Sequence, residues 1–156
     1  MIWLRGIVRI AASAAVAALV IAACAARRGS QEAPIATARI SDDVELTLSL
    51  AGAPRAGEPI EFRLTVSNAG AGEAVLDFAD GQRFDFEVLE GLTSVWRWAE
   101  DMFFTMMIGR ERIASGDSIT WSAALDEGLP AGAYRVRATL TTADRPTVDL
   151  EFAVGP

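Results

Sequence analysis

The segment from residue 40 to residue 156 is predicted to be an all-β domain. Its hydrophobic side chains recur at every second position, which is the pattern of strands that bury one face. Turn-forming residues separate these stretches, and no stretch carries a sustained helical pattern of apolar residues. Short strands joined by turns favour an antiparallel sandwich. We therefore predict an immunoglobulin-like β-sandwich of seven to nine strands.

The alternation is regular enough to place most strands. Leu46 and Leu48, for example, flank a polar residue in the first of them. Asp80-Gly81 predicts a hairpin, because both central positions of a type I′ turn need positive φ. Strands of this alternating kind are predicted at residues 44–50, 60–66, 74–78, 84–88, 119–123, 134–140 and 148–154.

Two strands in the middle of the domain are predicted to form a hairpin with a fixed register. If the aromatic side chains share the inner face, alternation sets which residues are opposite each other. The turn then centres on Gly91, within residues 90–92, where positive φ is favoured. This register pairs Phe84 with Trp98, Phe86 with Trp96 and, on the outer face, Asp85 with Arg97.

Residues 102–108 are apolar at almost every position, and two interpretations remain open. A strand buried on both faces has this composition, and so does an interaction surface of adaptable Met and rigid Phe side chains. The buried strand is preferred, because a small sandwich needs its large side chains in the core. In the second interpretation Met102, Phe104 and Met106 are the candidate partner contacts. Binding of a partner would use an exposed loop, or this run by strand pairing if it lies at a sheet edge.

Residues 1–23 have the pattern of an export signal. Arg5 and Arg9 make the beginning positive, and of the fourteen residues that follow only Ser13 is polar. A membrane-spanning helix needs roughly 20 apolar residues, so this stretch is too short to span a bilayer but suits a signal peptide.

Cys24, the only cysteine of the chain, follows Ile21 and two alanines, an order that resembles the bacterial lipobox. The resemblance implies cleavage before Cys24 and attachment of lipid to its thiol, which would anchor the protein to a membrane. An ordinary cleaved signal and an uncleaved anchor helix are the alternatives.

In the lipoprotein interpretation, residues 24–39 are the lipidated cysteine and a flexible tether. We expect an exported protein of the cell envelope, in the outer membrane if the cell has two, because Ala25 is not the Asp that often retains lipoproteins at an inner membrane.

The charged residues exclude several functions. All basic residues are Arg, His is absent, and the net charge of −7 argues against nucleic acid as a partner. Without His or Lys the chain has no Ser-His-Asp triad, no His-ligated zinc and no Schiff-base lysine. The acidic residues near the Asp80 turn lack the spacing of a calcium loop. We expect no catalytic activity, no metal and no cofactor.

The order of several motifs resembles the BsuPI-type intracellular proteinase inhibitor family. These motifs are residues 81–88, residues 95–98, Met102-Phe103, residues 116–118 at a strand start and residues 129–134, and the resemblance extends over roughly residues 44–142. It implies an immunoglobulin-like fold and binding of a serine proteinase, but it supplies no reactive-site residue. The residues that carry it most specifically are Gly81, Gln82, Arg83, Phe84, Asp85, Phe86, Trp96, Arg97, Trp98 and Phe103.

Two functions therefore remain. The first is a proteinase inhibitor, whose target would be a serine proteinase outside the cytoplasm, because the export signal separates this chain from cytosolic enzymes. The second is a non-catalytic envelope module that binds a protein or a glycan, or supports assembly.

Overall fold

The computed structural model describes residues 33–156, and the regular structure in this part of the chain consists of ten strands. Every strand pair is antiparallel. The strands are β1 (Ile35–Arg39), β2 (Val44–Leu50), β3 (Ile60–Asn68), β4 (Ala74–Phe78), β5 (Phe84–Glu90), β6 (Thr93–Arg97), β7 (Gly109–Ile113), β8 (Ser118–Leu125), β9 (Gly132–Leu140) and β10 (Thr147–Val154).

Two four-stranded sheets face each other. The first has the order β1-β2-β3-β8 and the second the order β10-β9-β5-β6, while β4 and β7 form a separate pair. The chain passes between the sheets from β3 to β5 and again from β8 to β9, as in an immunoglobulin-like sandwich. The Tyr134 hydroxyl donates a hydrogen bond to the Pro130 carbonyl at 3.2 Å, which is the tyrosine corner of such folds. The predicted fold class is thus confirmed, with ten strands rather than seven to nine.

The core lies between the two sheets and is rich in aromatic side chains. Phe62 of the first sheet is fully buried and contacts three rings of the second, those of Phe86 at 5.7 Å, Trp96 at 5.8 Å and Phe152 at 6.0 Å between centroids. Alternation therefore directs side chains from both sheets into one continuous core.

The folded domain begins earlier than predicted. Ile35–Arg39 was assigned to the tether of residues 24–39, but it forms β1 and pairs along its whole length with β2. Its alternating side chains are small, so the periodicity was weak. The signal peptide, Cys24 and the tether up to residue 32 lie outside the described residues. Within residues 33–156, no helix is long and apolar enough to cross a membrane.

The β5–β6 hairpin has a different register from the predicted one. Arg97 lies opposite Glu87 and Trp96 opposite Val88, a shift of two residues. One residue of the shift comes from the turn, which has two residues rather than three and begins at Gly91 with φ 61°. The other comes from a bulge that leaves Val95 without an opposite residue. Beyond the bulge the shift of two keeps Trp96, Arg97 and Trp98 on their predicted faces.

The sandwich has two distinct ends. At one, which we call the Pro34 end, the Pro34 carbonyl accepts a hydrogen bond from Leu50 N at 3.3 Å, and Gly155 N donates to Pro54 O at 3.0 Å. At the other, β5 begins at Phe84 opposite the end of β9 at Leu140. Since β10 has eight residues, the ends are about 25 Å apart.

Candidate interaction site

The chain between β6 and β7 exposes a run of large apolar side chains. Phe103 is 103% exposed, Met106 90% and Ile108 82%, and Met107 and Met102 are also exposed. No strand forms between residues 98 and 108. The preferred prediction of a strand buried on both faces is therefore wrong. Because the run forms no strand, the condition for pairing at a sheet edge is not met. The core is filled instead by aromatic side chains of β3, β5, β6 and β10 and their neighbours.

The exposed residues form a cluster, which we call the 102–108 loop. Elsewhere in residues 33–156 the exposed large hydrophobic side chains are Ile35, Val75, Leu92 and Val95, and they are dispersed along the chain. Clustered exposed apolar residues on a soluble domain are typical of a site that contacts another molecule. The loop is therefore the strongest candidate functional site in the described part of the chain.

Asp85 holds the beginning of this segment. Its side chain is almost completely buried, and its carboxylate accepts hydrogen bonds from Arg97 Nε at 2.6 Å and from Ala99 N at 3.2 Å. The hydrogen bond with Asp85 raises the pKa of Arg97 above its ordinary value. The pair was predicted to lie on the outer face of the hairpin. Asp85 is nonetheless buried there, and its carboxylate fixes the chain where it leaves β6.

Aromatic stacking between β5, Trp98 and Phe104 holds the loop against the sandwich. The ring of Phe84 stacks on Trp98 with a centroid distance of 4.3 Å and an interplanar angle of 18°. Trp98 in turn contacts Phe104 at 5.8 Å, so Phe104 is partly buried while Phe103 beside it is fully exposed. Met102 N also donates to Ala99 O at 3.3 Å. Phe104 thus anchors the loop rather than offering a free contact surface.

Gly81 holds the middle of the loop. Its N–H donates to the Thr105 carbonyl at 2.7 Å, and a Cβ atom at position 81 would lie 2.6 Å from Thr105 Oγ1. Only glycine allows so close an approach without displacing Thr105. The predicted Asp80-Gly81 hairpin is wrong, because β4 pairs with β7 rather than with β5.

Arg83 holds the end of the loop, where β7 begins. Its guanidinium lies over the Phe78 ring at 4.7 Å, and its Nε donates to Glu111 at 2.9 Å. It also donates to the Asp80 carbonyl at 2.8 Å. The guanidinium packs directly on Gly109, where a Cβ atom would overlap it. These contacts fix the position at which the loop returns to the sandwich.

The remaining motif residues are structural. The Gln82 side chain donates from Nε2 to the Phe84 carbonyl at 3.0 Å, and the backbone carbonyl of Gln82 accepts from Thr141 Oγ1 at 2.7 Å. Phe86 and Trp96 pack in the core. Of the ten motif residues, Phe103 alone projects fully into solvent from the loop, and several of the others hold the backbone beneath it. The motif thus contains one side chain available for contact, Phe103, and several residues that hold the loop in place.

Sequence reasoning found part of this surface. Met102 and Met106 are exposed as the surface interpretation required, whereas Met107 and Ile108 were not singled out. The supporting contacts of Thr105, Gly109 and Glu111 join segments far apart in the chain, so no local pattern could have revealed them. Among residues 33–156, no three His, Cys, Asp or Glu side chains are grouped as a metal site requires.

Comparison with protein families gives one match. The model of the BsuPI family, described as intracellular proteinase inhibitor, matches residues 46–145 and so includes the 102–108 loop and all its supports. No curated protein matches the chain.

Solved structures resemble the domain only distantly. A β-glucosidase from Listeria innocua in complex with glucose has 15% identity and a TM-score of 0.41, and the match covers 73% of this chain but only 16% of the glucosidase. A CARDB domain from Pyrococcus furiosus has 11% identity and a TM-score of 0.36, with 79% of this chain and 95% of that domain covered. Neither likeness bears on function.

Proposed function

The chain belongs to the BsuPI family of intracellular proteinase inhibitors, and from this premise we propose that its sandwich binds and inhibits a serine proteinase through the 102–108 loop. The observation that carries the proposal is the contrast between exposed apolar side chains and a backbone held at its beginning, middle and end. A loop held at several points loses less entropy on binding than an unsupported one, so more of its contact energy becomes affinity.

The composition of the loop suits a protein partner. Aromatic side chains and Met are enriched in the buried centres of protein interfaces, whereas Lys, Glu and Asp are depleted there. Between residues 102 and 108, only Met102 N and Thr105 O are hydrogen-bonded to other backbone groups of the described chain. The remaining backbone groups are free to pair with the cleft of a proteinase as an extended peptide does. Inhibition of this kind is steric and needs no cofactor.

We further propose that the protein is exported and held in the envelope by lipid on Cys24. The signal-like segment and the lipobox support this placement. Ile35 lies eleven positions after Cys24, so the tether extends at most about 40 Å. The described chain begins at the Pro34 end, whereas Thr105 and Gly109 of the loop are held by Gly81 and Arg83 near the opposite end. The part of the loop around Thr105 thus lies away from the end at which the tether joins the domain.

Inhibition by a soluble form of the chain tests the proposal. All buried core residues lie between Leu46 and Val154, so residues 25–156 retain the complete core. The variant Phe103→Ser/Met106→Ser/Met107→Ser removes the apolar surface, and Leu92→Ser changes an equally exposed side chain at the Pro34 end. We expect the unchanged protein and Leu92→Ser to inhibit a serine proteinase, and the triple variant to lose inhibition with an unaltered melting temperature.

Two results would overturn the proposal. One is the absence of inhibition at micromolar concentration across a panel of serine proteinases. The other is undiminished inhibition by the triple variant, which would place the contact elsewhere on the domain.

The second candidate is a non-catalytic envelope module that binds a protein in an assembly. The same exposed loop favours it, because an apolar surface fits a structural partner as well as a proteinase. A glycan is less favoured, since Trp96, Trp98 and Trp121 pack against the core rather than forming an open stacking surface. Capture of a non-proteolytic envelope protein by the unchanged chain and not by the triple variant would favour this candidate.

A further inference from the structure

We propose that Phe103 enters the primary specificity pocket of the target, which is therefore a serine proteinase whose pocket accepts a large apolar side chain. This inference rests on the proposed function and adds to it the class of proteinase and the residue that selects it. It is carried by the exposure of Phe103, the fixed backbone on both sides of it and the charges nearby.

Phe103 is a free side chain between two held neighbours. The Met102 N–H is bonded to the Ala99 carbonyl, and the Phe104 ring rests on Trp98. The backbone of Phe103 thus lies between two held residues, while its side chain is 103% exposed. An aromatic side chain offers a large contact area and has only two torsions to immobilise, so it is an efficient anchor for a pocket.

The other exposed residues of the loop suit neighbouring contacts better. Met106 and Met107 have flexible side chains that adapt to many surfaces. Ile108 is adjacent to Gly109, where the loop is packed against Arg83, so its approach to a deep pocket is restricted. These three residues fit shallow subsites beside the pocket, with Phe103 as the central anchor.

The charges near Phe103 exclude a basic-specific pocket. Residues 98–109 contain no Arg, and Glu100 and Asp101 precede the loop directly. A trypsin-type pocket has a carboxylate at its base, which attracts a basic side chain and would gain nothing from a phenyl ring. An elastase-type pocket is too small for the ring. A chymotrypsin-type hydrophobic slot remains, in which an aromatic side chain buries about 150–250 Å².

The test measures inhibition constants of residues 25–156 against chymotrypsin-type, subtilisin-type, trypsin-type and elastase-type proteinases. The variants are Phe103→Ala, Phe103→Leu and Phe103→Arg, with Leu92→Ala as the control at the Pro34 end. Because Phe103 is fully exposed, none of these changes removes a core contact, and melting temperatures confirm that each variant is folded.

We expect the unchanged chain to inhibit a proteinase with a large apolar pocket most tightly. Phe103→Ala should weaken that inhibition by about 30-fold or more, as truncation of a central anchor does. Phe103→Leu should lose less, and Phe103→Arg should shift the preference toward the trypsin-type enzyme. Leu92→Ala should change nothing.

The outcomes separate this inference from the proposed function. If the unchanged chain inhibits but Phe103→Ala inhibits equally well, or Phe103→Arg keeps the original preference, the inference is wrong and inhibition by the domain stands. If the trypsin-type enzyme is inhibited best by the unchanged chain, the inference is also wrong. If neither the unchanged chain nor any variant inhibits any of the four enzymes, the proposed function and the inference both fail.

Discussion

Arg97 donates a hydrogen bond to Asp85 at 2.6 Å, although the residue opposite Arg97 in the hairpin is Glu87. The Arg97 side chain therefore reaches diagonally across to β5, to the residue two positions before its opposite residue. This leaves the buried Asp85 carboxylate with a second acceptor oxygen, which takes the Ala99 N–H. One side chain thus connects β5, the end of β6 and the beginning of the segment that carries the 102–108 loop.

Asp85→Ala should destabilise the domain by about 1–3 kcal/mol, because it removes a buried acceptor and leaves the Ala99 N–H without its partner. Asp149→Ala is the matched control. Asp149 pairs with Arg137 in the same sheet, with Nε–Oδ1 at 2.9 Å, but both side chains are more than a third exposed. Exposed pairs contribute at most about 1 kcal/mol. Urea unfolding should give the larger loss for Asp85→Ala, and equal losses would contradict the structural role of Asp85.

Phe86→Ala should cost roughly 3–5 kcal/mol, because Phe86 is fully buried and packs on Phe62 and Phe84. Leu92→Ala, at the tip of the same hairpin, removes an exposed side chain and should change the unfolding free energy by about 0.5 kcal/mol or less. Chemical denaturation of both variants measures the difference. A loss below about 1 kcal/mol for Phe86→Ala would mean that the ring is not part of the core.

The hairpin illustrates how far alternation predicts a sheet. Alternation correctly assigned Phe84, Phe86, Trp96 and Trp98 to the inner face, because that assignment depends only on odd and even positions. It could not give the register, which depends on turn length and on the bulge at Val95. The shorter turn and the bulge each shift the register by one residue in the same direction. Their sum leaves the aromatic side chains on the inner face but gives them different cross-strand partners.

The loop illustrates a different limit. An apolar run such as residues 102–108 is compatible with a buried strand and with an exposed surface, and the choice depends on whether other side chains already fill the core. Glu100 and Asp101 before the run and Gly109 after it are local signs of a loop. The hydrogen bond from Gly81 to Thr105 joins segments distant in sequence, so composition could not predict it.

Gly109→Ala should destabilise the domain through Arg83. The new methyl group would overlap the guanidinium and displace it from Phe78 and Glu111. In an Arg83→Ala background the overlap is absent, so the same substitution should cost much less, and the two changes should be non-additive by about 0.5–3 kcal/mol. A double-mutant cycle from denaturation curves measures this coupling. Additive losses would show that Gly109 is not constrained by Arg83.

Lipidation of Cys24 is tested in cells that export the full chain. A clickable fatty-acid analogue should label the unchanged protein, and detergent-phase partitioning should recover it with membranes. Cys24→Ser should lose the label and either remain unprocessed or leave the membrane fraction, because the acyl chains supply the anchoring. Ser30→Ala, in the tether, is the control and should be labelled normally. An unlabelled but membrane-bound native protein would indicate an uncleaved anchor helix instead.

Phe104→Ala should weaken inhibition without removing any fully exposed side chain. Phe104 is partly buried on Trp98, and its loss frees the backbone beside Phe103. Amide hydrogen exchange in residues 102–108 should then become faster, because local opening costs less free energy. Inhibition should weaken because the proteinase must now order the loop as it binds.

Ile108→Ala is the matched control, since it removes an exposed apolar side chain from the same loop without touching Trp98 and should leave exchange unchanged. If exchange stays slow in Phe104→Ala while inhibition is lost, Phe104 contacts the proteinase directly; if exchange accelerates and inhibition is retained, the fixed conformation of the loop does not contribute to binding.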